Sequence, residues 1–108
     1  FRRLTKLFGY IKVKDLVIEA LNRRTYIKNE EVILTAKEFD ILVYLAQHGN
    51  SAVTKEELYT AVWKEKAVEG IGSTVATYVK KVRRKIEPDP DNPQYIETVW
   101  GIGYRFIM

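Results

Sequence analysis

The sequence contains no cysteine and only one histidine, His48. The lack of cysteine excludes a disulfide framework, a thiolate zinc site and a cysteine nucleophile, and it suits a reducing compartment. With a single histidine, and with carboxylates that show no paired spacing, we expect neither a histidine-rich metal site nor a catalytic triad. The chain is therefore not expected to be an enzyme or to hold a metal or another cofactor.

Long apolar runs are also missing. The apolar stretches are only a few residues long, whereas a membrane-spanning helix needs about 20 apolar residues. No charged-then-apolar leader opens the chain, so we expect a soluble, cytoplasmic protein with no membrane partner. The 108 residues suffice for one domain. Because the first residue is Phe1 and not methionine, we expect a piece of a longer protein.

One segment of the chain lacks acidic residues, although the whole chain has 14 of them. Residues 73–86 read STVATYVKKVRRKI, so this segment carries +5, against a net charge of +4 for the chain. The opening residues Arg2, Arg3 and Lys6 contribute another +3, which leaves −4 on the remainder. A local excess of positive charge attracts phosphates whatever the total charge is. The distribution favours a polyanionic partner over its alternative, a solvated lysine-rich helix face.

The first two thirds of the chain show strand signals and then helix signals. Short β-branched and aromatic runs alternate with turn-like clusters over residues 8–34, which predicts a four-stranded antiparallel sheet. Two helices follow, and each is expected to open with a T-x-x-E capping box, at Thr35 and Glu38 and at Thr54 and Glu57.

A charged, glycine-containing stretch over residues 64–72 is expected to be a loop that leads to a third helix, capped by Ser73 or Thr74. An apolar stripe at helical spacing marks the inner side of that helix, formed by Val75, Val79, Val82 and Ile86. Three prolines end the helix, and YIETV and YRFIM flank a W-G-I-G turn. The order of elements predicts an α+β winged helix-turn-helix fold, preceded by the four-stranded sheet.

The side of the third helix opposite the stripe combines hydroxyl groups, one aromatic ring and several cations: Thr74, Thr77, Tyr78, Lys81, Arg84 and Lys85. Such a mixture suits base edges and phosphates in a major groove. The sequence therefore favours binding of double-stranded DNA. Two alternatives are a protein-interaction module for an acidic partner and an RNA-binding module, although no aromatic platform for stacking single-stranded bases is visible.

Four segments, in order, resemble the OmpR/PhoB-type effector domain of bacterial two-component response regulators. They are TAKEFDIL from Thr35, TKEELYTAVW from Thr54, STVATYVKKVRRKI from Ser73 and TVWGIGYRF from Thr98. The resemblance implies a winged-helix domain over residues 8–108, with residues 1–7 as the end of an interdomain linker. It also implies a receiver domain outside this chain, which a cognate histidine kinase phosphorylates on an aspartate.

The resemblance further implies roles for single residues. It places a recognition helix at about residues 73–87, with base contacts by Thr77 and Lys81, and a wing at about residues 95–108. Contacts to the DNA backbone are implied for Ser73, Thr74, Tyr78, Lys80, Arg84, Trp63, Thr98 and Tyr104.

The resemblance also implies roles for the wing turn and for the loop before the recognition helix. The wing turn holds Trp100, Gly101 and Gly103. The loop before the recognition helix corresponds to the one that touches RNA polymerase in family members that activate transcription, here with Lys64, Glu65, Lys66 and Glu69. Family members usually bind as tandem copies on direct repeats about one helical turn apart, and we expect the same of this chain.

The sequence departs from the family at two positions. Some relatives carry a wing arginine that reaches into the minor groove, where this chain has Trp100. The main base-reading position is Lys81, where some relatives have arginine. Lysine lacks the rigid bidentate fork of arginine, so the preferred base is expected to differ.

Overall fold

The computed structural model describes residues 9–108. Its first four strands are β1 (Tyr10–Val13), β2 (Leu16–Glu19), β3 (Arg24–Ile27) and β4 (Glu30–Val32). They pair antiparallel in chain order, which confirms the predicted sheet. The expected linker over residues 1–7, together with Phe8, lies outside the described residues.

Three helices and a second sheet follow. The helices are α1 (Ala36–Gln47), α2 (Lys55–Trp63) and α3 (Ile71–Ile86). Strand β5 (Ala52–Thr54) lies between α1 and α2, and strands β6 (Ile96–Val99) and β7 (Gly103–Phe106) form the C-terminal hairpin. The second sheet has the order β5-β7-β6, with every pair antiparallel. The architecture is the predicted winged helix-turn-helix, and β5 is a strand that the sequence did not predict.

The two expected capping boxes differ in the structure. At α1 the box is complete, because Thr35 Oγ1 accepts from Glu38 N at 3.3 Å and Glu38 Oε1 accepts from Thr35 N at 2.9 Å. At α2, Thr54 Oγ1 accepts from Glu57 N at 3.0 Å. The Glu57 carboxylate, however, accepts from the hydroxyl of Tyr44 on α1. The second box is therefore half formed, since its carboxylate links the two helices.

The predicted start of the third helix is wrong. Helix α3 begins at Ile71, two residues before Ser73, and its N-cap is Gly70 at φ 91° with no side-chain capping bond. Glycine adopts this left-handed conformation at little cost. The early start also buries the side chain of Ile71, which is only 7% exposed. Ser73 and Thr74 consequently lie inside the first turn, and the preceding loop is shorter than expected.

One apolar core joins the first sheet, the helices and the hairpin. The predicted stripe of α3 is fully part of it, with Val75, Val79 and Val82 at 0% exposure and Ile86 at 2%. The other buried apolar residues are Leu16, Ile18, Phe39, Ile41, Leu42, Leu45, Ala46, Val53, Leu58, Val62, Ile71, Tyr95, Ile96 and Phe106. Burial of the stripe fixes the rotation of α3, so its opposite side faces solvent.

Candidate nucleic-acid interface

Helix α3 presents a polar outer side that is rich in small and cationic side chains. Its exposed residues after the first turn are Ala76, Thr77, Lys80, Lys81, Arg84 and Lys85, together with Ser73 in that turn. Thr74 and Tyr78 are half-buried at the border of this side. The residues of α3 expected to contact bases and phosphates thus lie together on one surface, which we call the basic face.

Two hydroxyl groups of the basic face are already engaged with the helix backbone. Ser73 Oγ donates to the carbonyl oxygen of Gly70 at 3.1 Å, and Thr77 Oγ1 donates to that of Ser73 at 2.9 Å. Each hydroxyl keeps its lone pairs, since a hydroxyl can donate one hydrogen bond and accept two. Thr77 is therefore oriented to accept a hydrogen bond from a partner.

The five cations of α3 divide into two groups, which the sequence did not reveal. Lys80, Lys81 and Arg84 are exposed, and the Lys81 ammonium lies over the Tyr78 ring. Arg83 turns towards the hairpin, and Lys85 Nζ lies 2.7 Å from Glu38 Oε1 on α1. The positive potential of the basic face therefore comes mainly from the first three, while the other two cations tie α3 to neighbouring elements.

An aromatic cluster lies at the border between α2 and α3. The rings of Tyr59 and Trp63 stack at 5.0 Å between centroids, and Tyr78 meets Trp63 edge-on at 5.1 Å. Lys81 Nζ lies 4.9 Å from the centroid of the Tyr78 ring, a cation–π contact. The indole of Trp63 is half-buried and packs against the core, so this residue supports the basic face and leaves only part of its ring open.

The wing turn places one large apolar side chain in solvent. Trp100 is 87% exposed, and Gly101 takes φ 80° at the tip of the turn. Gly103 is buried where β7 approaches β5. The two backbones lie so close that a Cβ atom at this position would collide with the carbonyl oxygen of Val53. The three residues expected in the wing turn therefore comprise an exposed ring, a left-handed turn residue and a close-packed one.

The other two wing residues are already in contact with α3. Thr98 Oγ1 accepts a hydrogen bond from Arg83 at 2.9 Å. Tyr104 is half-buried, and burial raises the pKa of its hydroxyl although nearby Arg83 acts in the opposite direction. Both side chains are thus less available to a partner than the sequence suggested.

The loop before α3 is exposed at all four of its expected partner-binding residues, Lys64, Glu65, Lys66 and Glu69. It leaves α2 through Lys64 in the left-handed conformation at φ 58°. Glu65 accepts a hydrogen bond from the hydroxyl of Tyr59 at 3.2 Å, and desolvation together with this carboxylate raises the pKa of Tyr59. One side chain of the loop is therefore held by the aromatic cluster.

Sequence reasoning missed Lys55, the first residue of α2. Its aliphatic Cδ lies 3.3 Å from the point where a Cβ of Gly72 would be, so a cation sits beside the first turn of α3. The sequence shows a lysine after an N-cap threonine, but nothing in that pattern places it next to α3. Lys55 lies next to the basic face and adds to its positive charge.

Within residues 9–108 there is no group of three or more histidine, cysteine, aspartate or glutamate side chains that could hold a metal ion. None of the helices in this range combines the length and apolar character needed to cross a bilayer.

Known proteins resemble the chain in sequence. Residues 29–106 match the protein family described as "Transcriptional regulatory protein, C terminal". The regulatory protein VanRc of Enterococcus gallinarum is 39% identical over 89 residues, which cover 82% of this chain and 38% of VanRc. The transcriptional regulatory protein YvrH of Bacillus subtilis is 40% identical over 86 residues, covering 80% of this chain and 36% of YvrH. The chain thus spans less than two fifths of these relatives.

Solved structures resemble it in fold. The response regulator DrrB of Thermotoga maritima, an OmpR/PhoB homologue, superposes with a TM-score of 0.85 at 33% identity, covering 99% of this chain and 50% of DrrB. The DNA-binding domain of RstA from Klebsiella pneumoniae, solved in complex with the RstA box, gives a TM-score of 0.83 at 26% identity, covering 91% of this chain and 96% of that domain.

Proposed function

The chain belongs to the OmpR/PhoB-type family of C-terminal domains of transcriptional regulatory proteins, which are not enzymes, and we propose that it binds double-stranded DNA. It would recognise a preferred sequence through the basic face of α3. In this proposal α3 enters the major groove and the wing lies along the adjacent backbone or minor groove. The observation that carries the proposal is the division of α3 into a buried apolar stripe and an exposed side with cations but no acid.

Base recognition is assigned to Thr77 and Lys81 near the middle of the basic face. Lys81 lies over the Tyr78 ring, which limits the positions that its ammonium group can take. Lysine donates to guanine O6 and N7. The hydroxyl of Thr77 donates its own proton to Ser73, so it would accept a hydrogen bond from a base amino group such as adenine N6 or cytosine N4. Contacts to phosphate are assigned to the residues around them, namely Ser73, Thr74, Tyr78, Lys80 and Arg84, with Trp63, Thr98 and Tyr104 at the edges.

The similarity to the RstA domain solved with its DNA box supports double-stranded DNA as the partner of the basic face. A second domain of known structure, that of the response regulator AdeR in complex with an intercistronic region, superposes with a TM-score of 0.71 at 26% identity. Both similarities concern the fold that carries the basic face, so they favour DNA over an acidic protein as its partner.

We also propose a larger context. The chain would be the cytoplasmic output domain of a response regulator, following a receiver domain that a histidine kinase phosphorylates, with residues 1–7 in the linker. Two copies would occupy direct repeats on DNA, and the exposed loop at residues 64–70 would be available to RNA polymerase. The chain's short span relative to VanRc and YvrH supports the first of these proposals, and the exposure of the loop supports the last.

Selection of preferred sites from a random pool of duplexes tests the function, followed by titrations of single variants. Lys81→Ala should cost about 1–3 kcal/mol at the preferred site and relax the base preference there. Arg84→Gln should weaken binding to all sequences alike and reduce the salt slope by about 1. Failure to select any site, with equal binding of duplexes and unrelated polyanions, would favour the acidic-protein alternative and contradict the proposal.

A further inference from the structure

Arg83 belongs to the basic segment by sequence but faces the wing in the structure. Its Nε donates to the carbonyl oxygen of Ile96 at 3.0 Å, and its Nη2 donates to Thr98 Oγ1 at 2.9 Å. The guanidinium carbon also lies 5.7 Å from the centroid of the Tyr104 ring. One side chain of α3 thus contacts both strands of the C-terminal hairpin.

Glu87 makes a second connection one helical turn further on. It is the C-cap residue of α3, and it is only 6% exposed. Its carboxylate accepts backbone hydrogen bonds from the amides of Gln94 at 2.6 Å, Tyr95 at 3.1 Å and Ile96 at 2.9 Å. A buried carboxylate would be unfavourable without such donors, so Glu87 holds the start of β6 against the end of α3.

The two connections meet at Ile96. Its amide donates to Glu87 and its carbonyl oxygen accepts from Arg83, so both backbone groups of this residue are bonded to side chains of α3. Strand β6 is an edge strand of its sheet, and edge strands carry unpaired backbone groups on one side. Helix α3 covers that edge with two charged side chains of opposite sign.

We propose that Arg83 and Glu87 are positioning residues that hold the wing at a fixed orientation to α3 and thereby set the affinity for DNA without touching it. The inference rests on the proposed function, because it requires α3 and the wing to bind one duplex. When α3 and the wing already have a fixed relative orientation, they lose less conformational freedom on binding DNA than two elements that move independently. The direct path from α3 to β6 is an irregular segment, residues 87–95. The bonds from Arg83 and Glu87 therefore add directional contacts to the packing of Tyr95, Ile96 and Phe106 in the core.

The surroundings of Arg83 are consistent with an internal role. Burial lowers the pKa of its guanidinium from the ordinary value, although Tyr104 and Glu87 act in the opposite direction. A phosphate-binding arginine would keep its fork open to solvent, as exposed Arg84 does. Two of the donors of Arg83, on Nε and Nη2, are instead bonded to Ile96 and Thr98.

The test compares Arg83→Lys and Glu87→Gln with the natural sequence in DNA titrations. Arg83→Lys keeps the charge but loses the fork that reaches two acceptors. Glu87→Gln removes a negative charge, which by electrostatics alone should strengthen binding to DNA. We expect both variants to bind the preferred duplex roughly tenfold more weakly, because the wing is no longer held in place. Arg24→Lys and Glu30→Gln, exposed on the first sheet, are the matched controls.

A second duplex separates positioning from a general loss of folded protein. It is shortened on the side where footprinting of the natural sequence detects the wing. Positioning predicts that both variants match the natural sequence on the shortened duplex and differ from it only on the full one. A loss of folded protein would instead lower affinity for both duplexes by the same factor, and that result would overturn the inference.

Four other results are decisive. Full affinity of Arg83→Lys would mean that charge alone matters at this position, as for a phosphate contact, and would overturn the inference. Unchanged or tighter binding by Glu87→Gln would overturn it as well.

If the natural sequence shows no preferred site, the proposed function itself fails and the inference falls with it. A preferred site that depends on Lys81, but not on Arg83 or Glu87, would leave the proposed function standing and refute only the positioning role.

Discussion

The ammonium group of Lys85 on α3 lies 2.7 Å from Glu38 Oε1 on α1, and that carboxylate is only 3% exposed. The same oxygen accepts from the backbone amide of Thr35 at 2.9 Å. One side chain therefore completes the capping box of α1 and holds α3 against it. Burial by itself would raise the pKa of Glu38, but hydrogen bonds from Lys85 and Thr35 together outweigh it, so the pKa lies below its ordinary value.

Glu38→Gln should lower the free energy of unfolding at neutral pH by about 1–3 kcal/mol, because glutamine can keep the cap but loses the charged hydrogen bond to Lys85. The pKa of Glu38 is lower in the folded than in the unfolded chain. The carboxylate therefore stabilises the fold fully above its ordinary pKa, and this stabilisation is lost as the pH falls through the folded-state pKa.

Urea unfolding of both proteins at a series of pH values measures this effect. The difference between the natural sequence and Glu38→Gln should shrink on acidification, whereas Glu30→Gln, at an exposed position, should show little difference at any pH. A difference that stays constant down to the lowest pH would show that the charge of Glu38 does not contribute.

Thr25 offers a stabilising change. Its side chain is 1% exposed, and its hydroxyl has no hydrogen-bond partner among the residues that the structure describes. A buried hydroxyl without a partner costs free energy that an apolar group of the same shape does not. Thr25→Val should therefore raise the free energy of unfolding by about 1 kcal/mol, measured by chemical denaturation.

Thr25→Ala provides the comparison, because it removes the hydroxyl and also a methyl group from a packed site. It should be less stable than Thr25→Val, since the lost packing leaves a cavity. A destabilised Thr25→Val protein would mean that the hydroxyl is satisfied after all and would refute the explanation.

The sequence predicted those parts of the fold that depend on near neighbours along the chain. The complete capping box at Thr35 and Glu38 needs only two residues three apart. The stripe from Val75 to Ile86 needs only helical periodicity and a core to face. Both are signals of local spacing, and both were confirmed.

Features that depend on distant residues were missed. Strand β5 has three residues with only Val53 buried, too short for a periodic signal, and it exists because β7 pairs with it from about fifty positions further along. The start of α3 was misplaced because burial of Ile71 outweighed the capping preference of Ser73, a case of tertiary packing overriding local propensity. Composition also could not show that Arg83 and Lys85 bond to remote acceptors.

Two glycines of the wing turn should respond very differently to alanine. A Cβ on Gly103 would collide with the carbonyl oxygen of Val53 and lie 2.9 Å from the amide nitrogen of Lys55. Both are backbone atoms that cannot rotate away, so β5 and β7 would have to separate. Gly103→Ala should cost about 3 kcal/mol or more, or prevent folding.

Gly101→Ala is the matched variant in the same turn. Among residues 9–108, and apart from its two chain neighbours, no atom lies within 4 Å of its added Cβ, but the residue sits at φ 80°. The cost should therefore be only the strain of a left-handed alanine, about 1–2 kcal/mol. Thermal and urea unfolding of both variants compare the two costs, and equal losses would contradict the close packing of β7 on β5.

The two tryptophans allow the basic face and the wing to be observed separately. Trp63→Phe leaves Trp100, which is 87% exposed, and Trp100→Phe leaves Trp63, which stacks on Tyr59. Fluorescence of Trp100 should be quenched by acrylamide much more strongly than that of Trp63, because quenching requires collision with the ring.

If the wing contacts DNA as proposed, addition of the preferred duplex should protect Trp100 from acrylamide, while an excess of a duplex without the site should not. Trp63, already covered on one side by Tyr59, should change less. Protection of Trp63 alone would place the duplex on α2 and α3 without the wing, and equal quenching of both rings in the free protein would contradict the exposed position of Trp100.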